Sequence, residues 1–97
     1  MDVVYWTESA IQDLNDIGDY ISKGSQKYAE ITVNYLFDAT EILEEFPYSG
    51  KIVQEFNKES IRELIRGNYR IVYLINDDKL VIVVIKIGHR REIYKKL

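Results

Sequence analysis

Residues 61–88 decide the fold, and they read IRELIRGNYRIVYLINDDKLVIVVIKIG. β-branched and aromatic residues dominate this stretch, as is typical of strands inside a sheet. Gly67 and Asn68 predict a tight hairpin turn, and the Asp-Asp-Lys sequence at 77–79 predicts a second turn. The pattern therefore predicts an antiparallel meander with strands over residues 60–66, 69–76 and 80–88, the last of them central in the sheet.

The first half of the chain predicts one strand followed by two helices. Residues 2–6 (DVVYW) form a short β-branched and aromatic run, and Thr7 follows as a helix N-cap. Apolar residues then recur at helical spacing up to a stop at Gly24. Ser25 caps a second helix, which Pro47 ends. The apolar faces of the two helices consist of Ala10, Leu14, Ile17 and Ile21, and of Ala29, Val33, Leu36, Leu43 and Phe46.

Together these elements predict a single α+β domain over residues 1–97. An N-terminal strand and a two-helix hairpin precede the antiparallel β-meander, to which residues 51–56 add one more strand. The helices are expected to pack on one face of the sheet, and residues 90–97 form a charged tail. The core beneath the helices is predicted to contain Leu14, Ile17, Ile21, Val33, Leu36, Tyr73, Val83 and Ile85.

Composition excludes several classes of function. The sequence has no cysteine, which excludes disulfides, a thiol nucleophile and a cysteine zinc site, and its single histidine, His89, excludes a multi-histidine metal site. It contains no phosphate-binding glycine loop. The longest apolar run, residues 80–85, is too short to span a bilayer, and the N-terminal MDVVYWTES lacks the basic region of a signal peptide. We therefore expect a soluble, cytoplasmic protein that uses no metal and no cofactor.

Charge is distributed unevenly along the chain. Residues 1–60 carry four bases against twelve acids, a net charge of −8, whereas residues 61–97 carry nine bases against four acids, a net charge of +5. The second segment also holds all five arginines. Arginine binds phosphate and carboxylate groups through paired N–H donors. The asymmetry indicates either a basic face that meets an anionic partner or arginines that pair with the protein's own acids.

Strand alternation predicts where the basic side chains lie, since alternate residues share a face of a strand. It places Arg62 and Arg66 on one face of their strand. Arg70 and Lys86 take the equivalent face of the next two strands, and Arg90 joins them if the last strand runs on. We expect these five side chains to converge on the sheet face that the helices leave uncovered.

The end of the second predicted helix carries Glu41, Glu44 and Glu45. Carboxylates are disfavoured there, because the helix macrodipole places partial negative charge at the C-terminal end. The sequence pattern offers no structural reason for this placement.

Four segments, which are distributed over nearly the full length of the chain, carry a resemblance to a known family. They are WTESA leading into DLNDIGDYI at residues 6–21, FPYSGK at 46–51, IRELIRGNYRIVYLIND at 61–77 and IGHRREIY at 87–94. By these segments the chain resembles the RelE/ParE superfamily of type II toxin–antitoxin toxins. The resemblance implies a strand–helix–helix–sheet fold, a cognate antitoxin as partner and a prokaryotic host. It leaves two activities open, because RelE-like toxins cleave messenger RNA, usually in the ribosomal A site, whereas ParE-like toxins poison DNA gyrase and are not nucleases.

The C-terminal segment favours the RelE-like activity. It resembles the RelE-type ending, which implies that Arg90 and Tyr94 belong to a catalytic set, and Arg70 matches a further catalytic arginine. Arg62 falls where some RelE proteins place a lysine. We therefore expect an mRNA endoribonuclease that acts on the ribosome and arrests translation. The alternatives are a gyrase inhibitor that acts by binding and an inactive member that retains antitoxin binding.

RNA cleavage without a metal directs a 2′-OH at the adjacent phosphate, and it needs a base, an acid and charge stabilisation on the phosphorane. Arg70 and Arg90 would stabilise that charge. Tyr94 would act as the general base or stack on an RNA base, and His89 is either an acid/base or a structural residue. The expected phosphate-binding residues are Arg62, Arg66, Lys86 and Arg91. The antitoxin is expected to place acidic groups near Arg62, Arg70 or Arg90.

Overall fold

The computed structural model describes residues 3–76 and 81–89. Its elements are β1 (Val3–Trp6), α1 (Glu8–Ser22), α2 (Gln26–Asp38), a 3-10 helix (Ala39–Glu44), β2 (Lys51–Ile52), β3 (Ile61–Arg66), β4 (Tyr69–Asn76) and β5 (Val81–His89). This order confirms the predicted α+β fold of a strand, two helices and a sheet. Within the described ranges, none of the helices has the length and apolar character needed to cross a membrane.

Both helices begin at the predicted N-caps. The Thr7 hydroxyl accepts a hydrogen bond from the Ala10 N–H at 3.1 Å, and the Ser25 hydroxyl accepts one from the Tyr28 N–H at 3.1 Å. Each cap satisfies a backbone donor that has no partner within its helix. The second helix is shorter than predicted, because α2 ends at Asp38 and the chain continues as the 3-10 helix toward Pro47.

The sheet has five strands in the order β1-β5-β4-β3-β2. β5 lies between β1 and β4 and is thus interior, as predicted. It pairs in parallel with β1 and antiparallel with β4. The strand predicted over residues 51–56 is reduced to β2, because the chain turns at Val53. The carbonyl of Val53 accepts hydrogen bonds from the N–H groups of Phe56 and Asn57, at 3.1 and 2.9 Å.

The helices cover one face of the sheet, as predicted, and the main core lies between them. Leu14, Leu36 and Tyr73 are buried there, which confirms those three assignments, whereas Ile17 and Val33 are half-buried at its margin. Ile21 is also half-buried. The buried residues of this core are Trp6, Ala10, Leu14, Leu36, Leu43, Leu64, Ile71, Tyr73, Ile75, Ile82, Val84 and Ile87.

The β3–β4 hairpin places its side chains differently from the sequence prediction. Arg66 pairs with Tyr69 across the two-residue turn, so these two residues share a face. The same register pairs Arg62 with Tyr73, which lies in the helix-side core. Arg62 and Arg66 are therefore on the face that the helices cover. Arg70 pairs with Ile65 on the opposite face, which we call the outer face.

β5 contains a bulge that reverses the predicted faces of its first half. Tyr73 pairs with Val84, but the preceding residue, Val72, pairs with Lys86, so one extra residue is inserted in β5. As a result Val84 is buried on the helix side. Val83 pairs with Leu74 and lies half-buried on the outer face, so its predicted place under the helices is wrong. The side chain of Ile85 lies outside what the structure describes.

Candidate functional site

Arg70 is the centre of the candidate site. It lies on β4 and is only 1% exposed. Its Nε and Nη2 atoms contact the Glu63 carboxylate, which is 3% exposed, and its Nη1 donates to Glu55 Oε2 at 3.2 Å. Lys51 Nζ approaches the other Glu63 oxygen at 3.8 Å. The guanidinium is thus held between two carboxylates of its own chain.

The turn that follows β2 covers this group. Val53 is fully buried against Val72, and the two form a small core on the outer face with Ile61 beside them. Glu55, two residues after Val53, reaches Arg70 from this turn. The outer face is therefore not open at Arg70, contrary to the expectation of an uncovered basic surface.

Glu55 remains ionised to a lower pH than an ordinary glutamate. Partial burial acts to raise its pKa, but the hydrogen bond from Arg70, a backbone hydrogen bond and the charge of Arg70 together outweigh that effect. The net result is a pKa below the usual value of 4.5. The pair is thus a charged one throughout the neutral range.

Arg62 binds backbone carbonyls instead of a solvent-facing anion. Its Nη1 donates to the carbonyls of Gly50 at 2.9 Å and Tyr48 at 3.4 Å, and its Nε donates to the Glu59 carbonyl at 2.9 Å. The guanidinium also lies 4.8 Å from the centre of the Tyr48 ring. These contacts give Arg62 a structural role in the loop between the 3-10 helix and β2.

Two further predicted phosphate-binding residues contact groups of the chain itself. Arg66 Nη1 donates to the Ile65 carbonyl at 2.9 Å. Lys86 Nζ lies 3.3 Å from Asp13 on α1, and the second oxygen of Asp13 accepts the N–H of Ile87 at 3.1 Å. Asp13 therefore ties α1 to β5 next to the bulge.

His89 lies at the end of β5 and is exposed. Its ring meets the ring of Tyr69 edge to face, with centroids 6.2 Å apart. Burial, with Tyr28 and Tyr20 nearby, raises the pKa of Tyr69. Three other predicted site residues, Arg90, Arg91 and Tyr94, lie outside the described residues.

The structure does not bring the predicted basic residues together. Arg62 and Arg66 lie on the helix side, Arg70 lies on the outer face, and Lys86 pairs with α1. The predicted face is wrong for Arg62 and Arg66, whereas the register keeps Lys86 on the face of Arg70, two positions from its partner Gly88. Sequence reasoning missed Glu55, whereas for Glu63, which alternates with Arg62 along its strand, it offers an ion pair with a nearby base, and Arg70 is that base. Register supplies the signal for Glu63, because the two-residue turn puts it on the same face as Arg70.

The fold is that of a small α+β protein in which a helix hairpin packs on a mixed sheet. The sequence model of the ParE toxin of type II toxin–antitoxin systems (parDE) matches residues 4–94. The chain therefore belongs to the ParE toxin family, within the RelE/ParE superfamily that the sequence segments indicated. No curated protein matches the chain at a significant level.

Solved structures of the superfamily share the fold. The chromosomal ParDE toxin–antitoxin system from P. aeruginosa matches with a TM-score of 0.73 and 21% identity, over 92% of this chain and 96% of that chain. The isolated E. coli RelE toxin matches with a TM-score of 0.67 and 20% identity, over 99% and 94%. The intact E. coli RelBE toxin–antitoxin complex matches with a TM-score of 0.60 and 22% identity, over 92% and 96%.

Proposed function

We propose that this type II toxin arrests growth by binding DNA gyrase, in the manner of ParE-like toxins, and that it does not cleave RNA. The observation that carries the proposal is the enclosure of Arg70 by Glu63 and Glu55. An arginine that stabilises a phosphorane directs its N–H donors at phosphate oxygens. Arg70 directs them at carboxylates, and an RNA phosphate would have to displace two groups of its own sign.

Two further observations support this function. The matching family model is that of ParE toxins. Residues 1–60 carry a net charge of −8, which opposes the binding of a polyanion such as RNA. We also propose a cognate antitoxin as partner, because the E. coli RelBE match is a complex of toxin and antitoxin. The proposed site of action is the cytoplasm.

A RelE-like endoribonuclease is the second candidate, and the segment from Gly88 to Tyr94 is the feature that favours it. In that case Arg70 and Arg90 would stabilise the phosphorane, Tyr94 would serve as base or stacking residue, and His89 would act as an acid or base. Arg62, Arg66, Lys86 and Arg91 would contact phosphates. Arg70→Ala and Arg90→Ala would then each lower the cleavage rate about 10²–10³-fold.

Two assays on the purified toxin separate these functions. The first incubates it with gyrase and supercoiled plasmid and measures cleaved DNA. The second incubates it with programmed ribosomes and maps mRNA ends by primer extension. We expect trapped gyrase–DNA cleavage and intact mRNA. Cut mRNA with no trapped gyrase would overturn the proposal in favour of the endoribonuclease.

A variant without the buried charges sharpens this comparison. Glu63→Leu/Arg70→Met replaces the ion pair by apolar side chains of similar volume, an exchange that folded proteins often tolerate. A gyrase-binding toxin should keep its activity in this variant. An endoribonuclease that depends on Arg70 should lose it.

A further inference from the structure

Three exposed apolar side chains occur within seven residues where the helical half of the chain meets the sheet. Ile42, Phe46 and Tyr48 are 44%, 59% and 46% exposed. The Phe46 N–H donates to the Ile42 carbonyl at 2.9 Å, which closes a turn between these two residues at the end of the 3-10 helix. The Ser49 N–H donates to the Phe46 carbonyl at 3.0 Å and closes the turn that carries Tyr48. We call these three residues the Phe46 patch.

The side chains of Tyr73 and Arg62 stabilise the turn at residues 47–50 through hydrogen bonds. The Tyr73 hydroxyl donates to the Pro47 carbonyl at 2.8 Å and accepts the Gly50 N–H at 3.0 Å. Arg62 binds the carbonyls of Gly50 and Tyr48 and stacks on the Tyr48 ring. The exposed ring of Tyr48 is therefore fixed before any partner arrives, which lowers the entropy lost on binding.

The patch is bordered by carboxylates. Glu41 and Glu45 are exposed and Glu44 is half-buried. No cation within residues 3–76 and 81–89 forms an ion pair with any of the three. Glu44 and Glu45 stand at the C-terminal end of the 3-10 helix, where their negative charge costs stability because the macrodipole disfavours it. Local arrangements that cost stability are most often found at functional surfaces.

We propose that the Phe46 patch is the surface through which this toxin binds its protein target, and that the target presents basic side chains around an apolar depression. Aromatic anchors inside a polar rim are typical of protein interfaces, and the acidic border selects a basic partner surface. This inference deepens the proposed function, since it assumes a toxin that acts by binding a protein.

The same charges argue against two other occupants. A second copy of the chain would bring a like-charged border against Glu41 and Glu45, and residues 1–60 as a whole carry −8. An RNA would bring phosphates against the same carboxylates.

Growth arrest tests the inference, because it reports target binding whichever target is engaged. The toxin is induced without antitoxin, and the cellular toxin level that halves the growth rate is measured. Phe46→Ser/Tyr48→Ser should raise that level at least about 30-fold, as expected for loss of hot-spot side chains. The matched control is Tyr35→Ser on α2, since Tyr35 is 53% exposed and outside the patch. It should change the level less than about twofold.

A charge variant separates function from folding. Glu45→Lys places a favourable charge at the helix end and forms an i,i+4 pair with Glu41. It should raise the thermal unfolding midpoint by about 2–5 °C and yet weaken growth arrest about 10-fold. If these carboxylates had a purely structural role, the unfolding midpoint and the growth arrest would change in the same direction.

The possible outcomes are distinct. If Phe46→Ser/Tyr48→Ser arrests growth at the same toxin level as the wild type, the inference is overturned. If Glu45→Lys arrests growth at a lower level, the inference is also overturned, because a more basic surface would then favour RNA as the target. If the double variant does not fold, Glu45→Lys alone decides. Failure of wild-type toxin to trap gyrase, with the variants behaving as expected, would reject gyrase as target and leave the surface assigned.

Discussion

Glu63 and Arg70 form a buried ion pair although they do not face each other directly in the sheet. Glu63 pairs with Val72 and Arg70 with Ile65, so the contact runs diagonally across β3 and β4. Both side chains are at most 3% exposed. Each charge therefore interacts with the other in place of the water that burial removes.

Removing one member of this pair should destabilise the fold strongly. Glu63→Ala leaves the Arg70 guanidinium buried without the carboxylate that its Nε and Nη2 atoms contact. We expect a loss of about 3–5 kcal/mol in the free energy of unfolding, measured by urea denaturation. Lys51→Ala is the control, since Lys51 is well exposed and lies 3.8 Å from Glu63. That variant should cost less than about 0.5 kcal/mol, and equal effects of the two variants would contradict the buried pair.

Acid should weaken the contact between Glu55 and Arg70. The pKa of Glu55 is lower in the folded state than its ordinary 4.5, so its stabilising contribution is present above pH 4.5 and is lost as the pH falls through the folded-state pKa. Wild type should exceed Glu55→Gln in unfolding free energy at neutral pH, and the difference should shrink as the pH falls below 4.5. A gap that stays constant with pH would show that Glu55 does not titrate against Arg70.

The Tyr73 hydroxyl should contribute to the turn that it holds. Tyr73→Phe leaves the Gly50 N–H and the Pro47 carbonyl without their buried partner, at a cost of about 1–3 kcal/mol. Gly50→Ala should cost about 3 kcal/mol, because its Cβ would lie 2.5 Å from the Glu63 carbonyl oxygen and 2.6 Å from the Tyr73 hydroxyl. Thermal unfolding measures both variants. A neutral Gly50→Ala would mean that the turn is not held as described.

The bulge in β5 predicts unequal effects at neighbouring positions. Ile82 is fully buried in the helix-side core, whereas Val83 is half-buried on the outer face. Ile82→Ala should therefore cost about 2–5 kcal/mol and Val83→Ala less than about 1.5 kcal/mol. If Val83→Ala lowered the unfolding midpoint more than Ile82→Ala, β5 would have the regular alternation predicted from the sequence instead of the bulge.

Local features of the fold could be predicted from the sequence. Thr7 and Ser25 act as caps through contacts three residues away, and the Gly67-Asn68 turn needs only its neighbours. The faces of β5 could not be predicted in the same way. Residues 81–85 are all β-branched, so their pattern carries no information on which side is buried, and the inserted residue depends on pairing with β4.

The candidate site shows the same division. The pairing of Arg66 with Tyr69 follows from a two-residue turn, and with it the common face of Glu63 and Arg70 could have been inferred. Strand alternation applies to each strand separately, and it does not show which face of β3 coincides with which face of β4. The contact from Glu55 could not be inferred, because it depends on a turn at Val53 inside a stretch whose composition resembles a strand.

The parallel pairing of β1 with β5 determines how late during synthesis the sheet of this toxin can be completed. Val3 pairs with Val81, 78 positions further along the chain. At a synthesis rate of about 5–20 residues per second, the first strand waits roughly 4–16 s for its only described neighbour in the sheet. A translation product interrupted before Val81 lacks that neighbour and leaves the edge of β4 open. Copies of this chain that stop there are therefore without the finished sheet, and the toxin completes its sheet only after β5 has been synthesised.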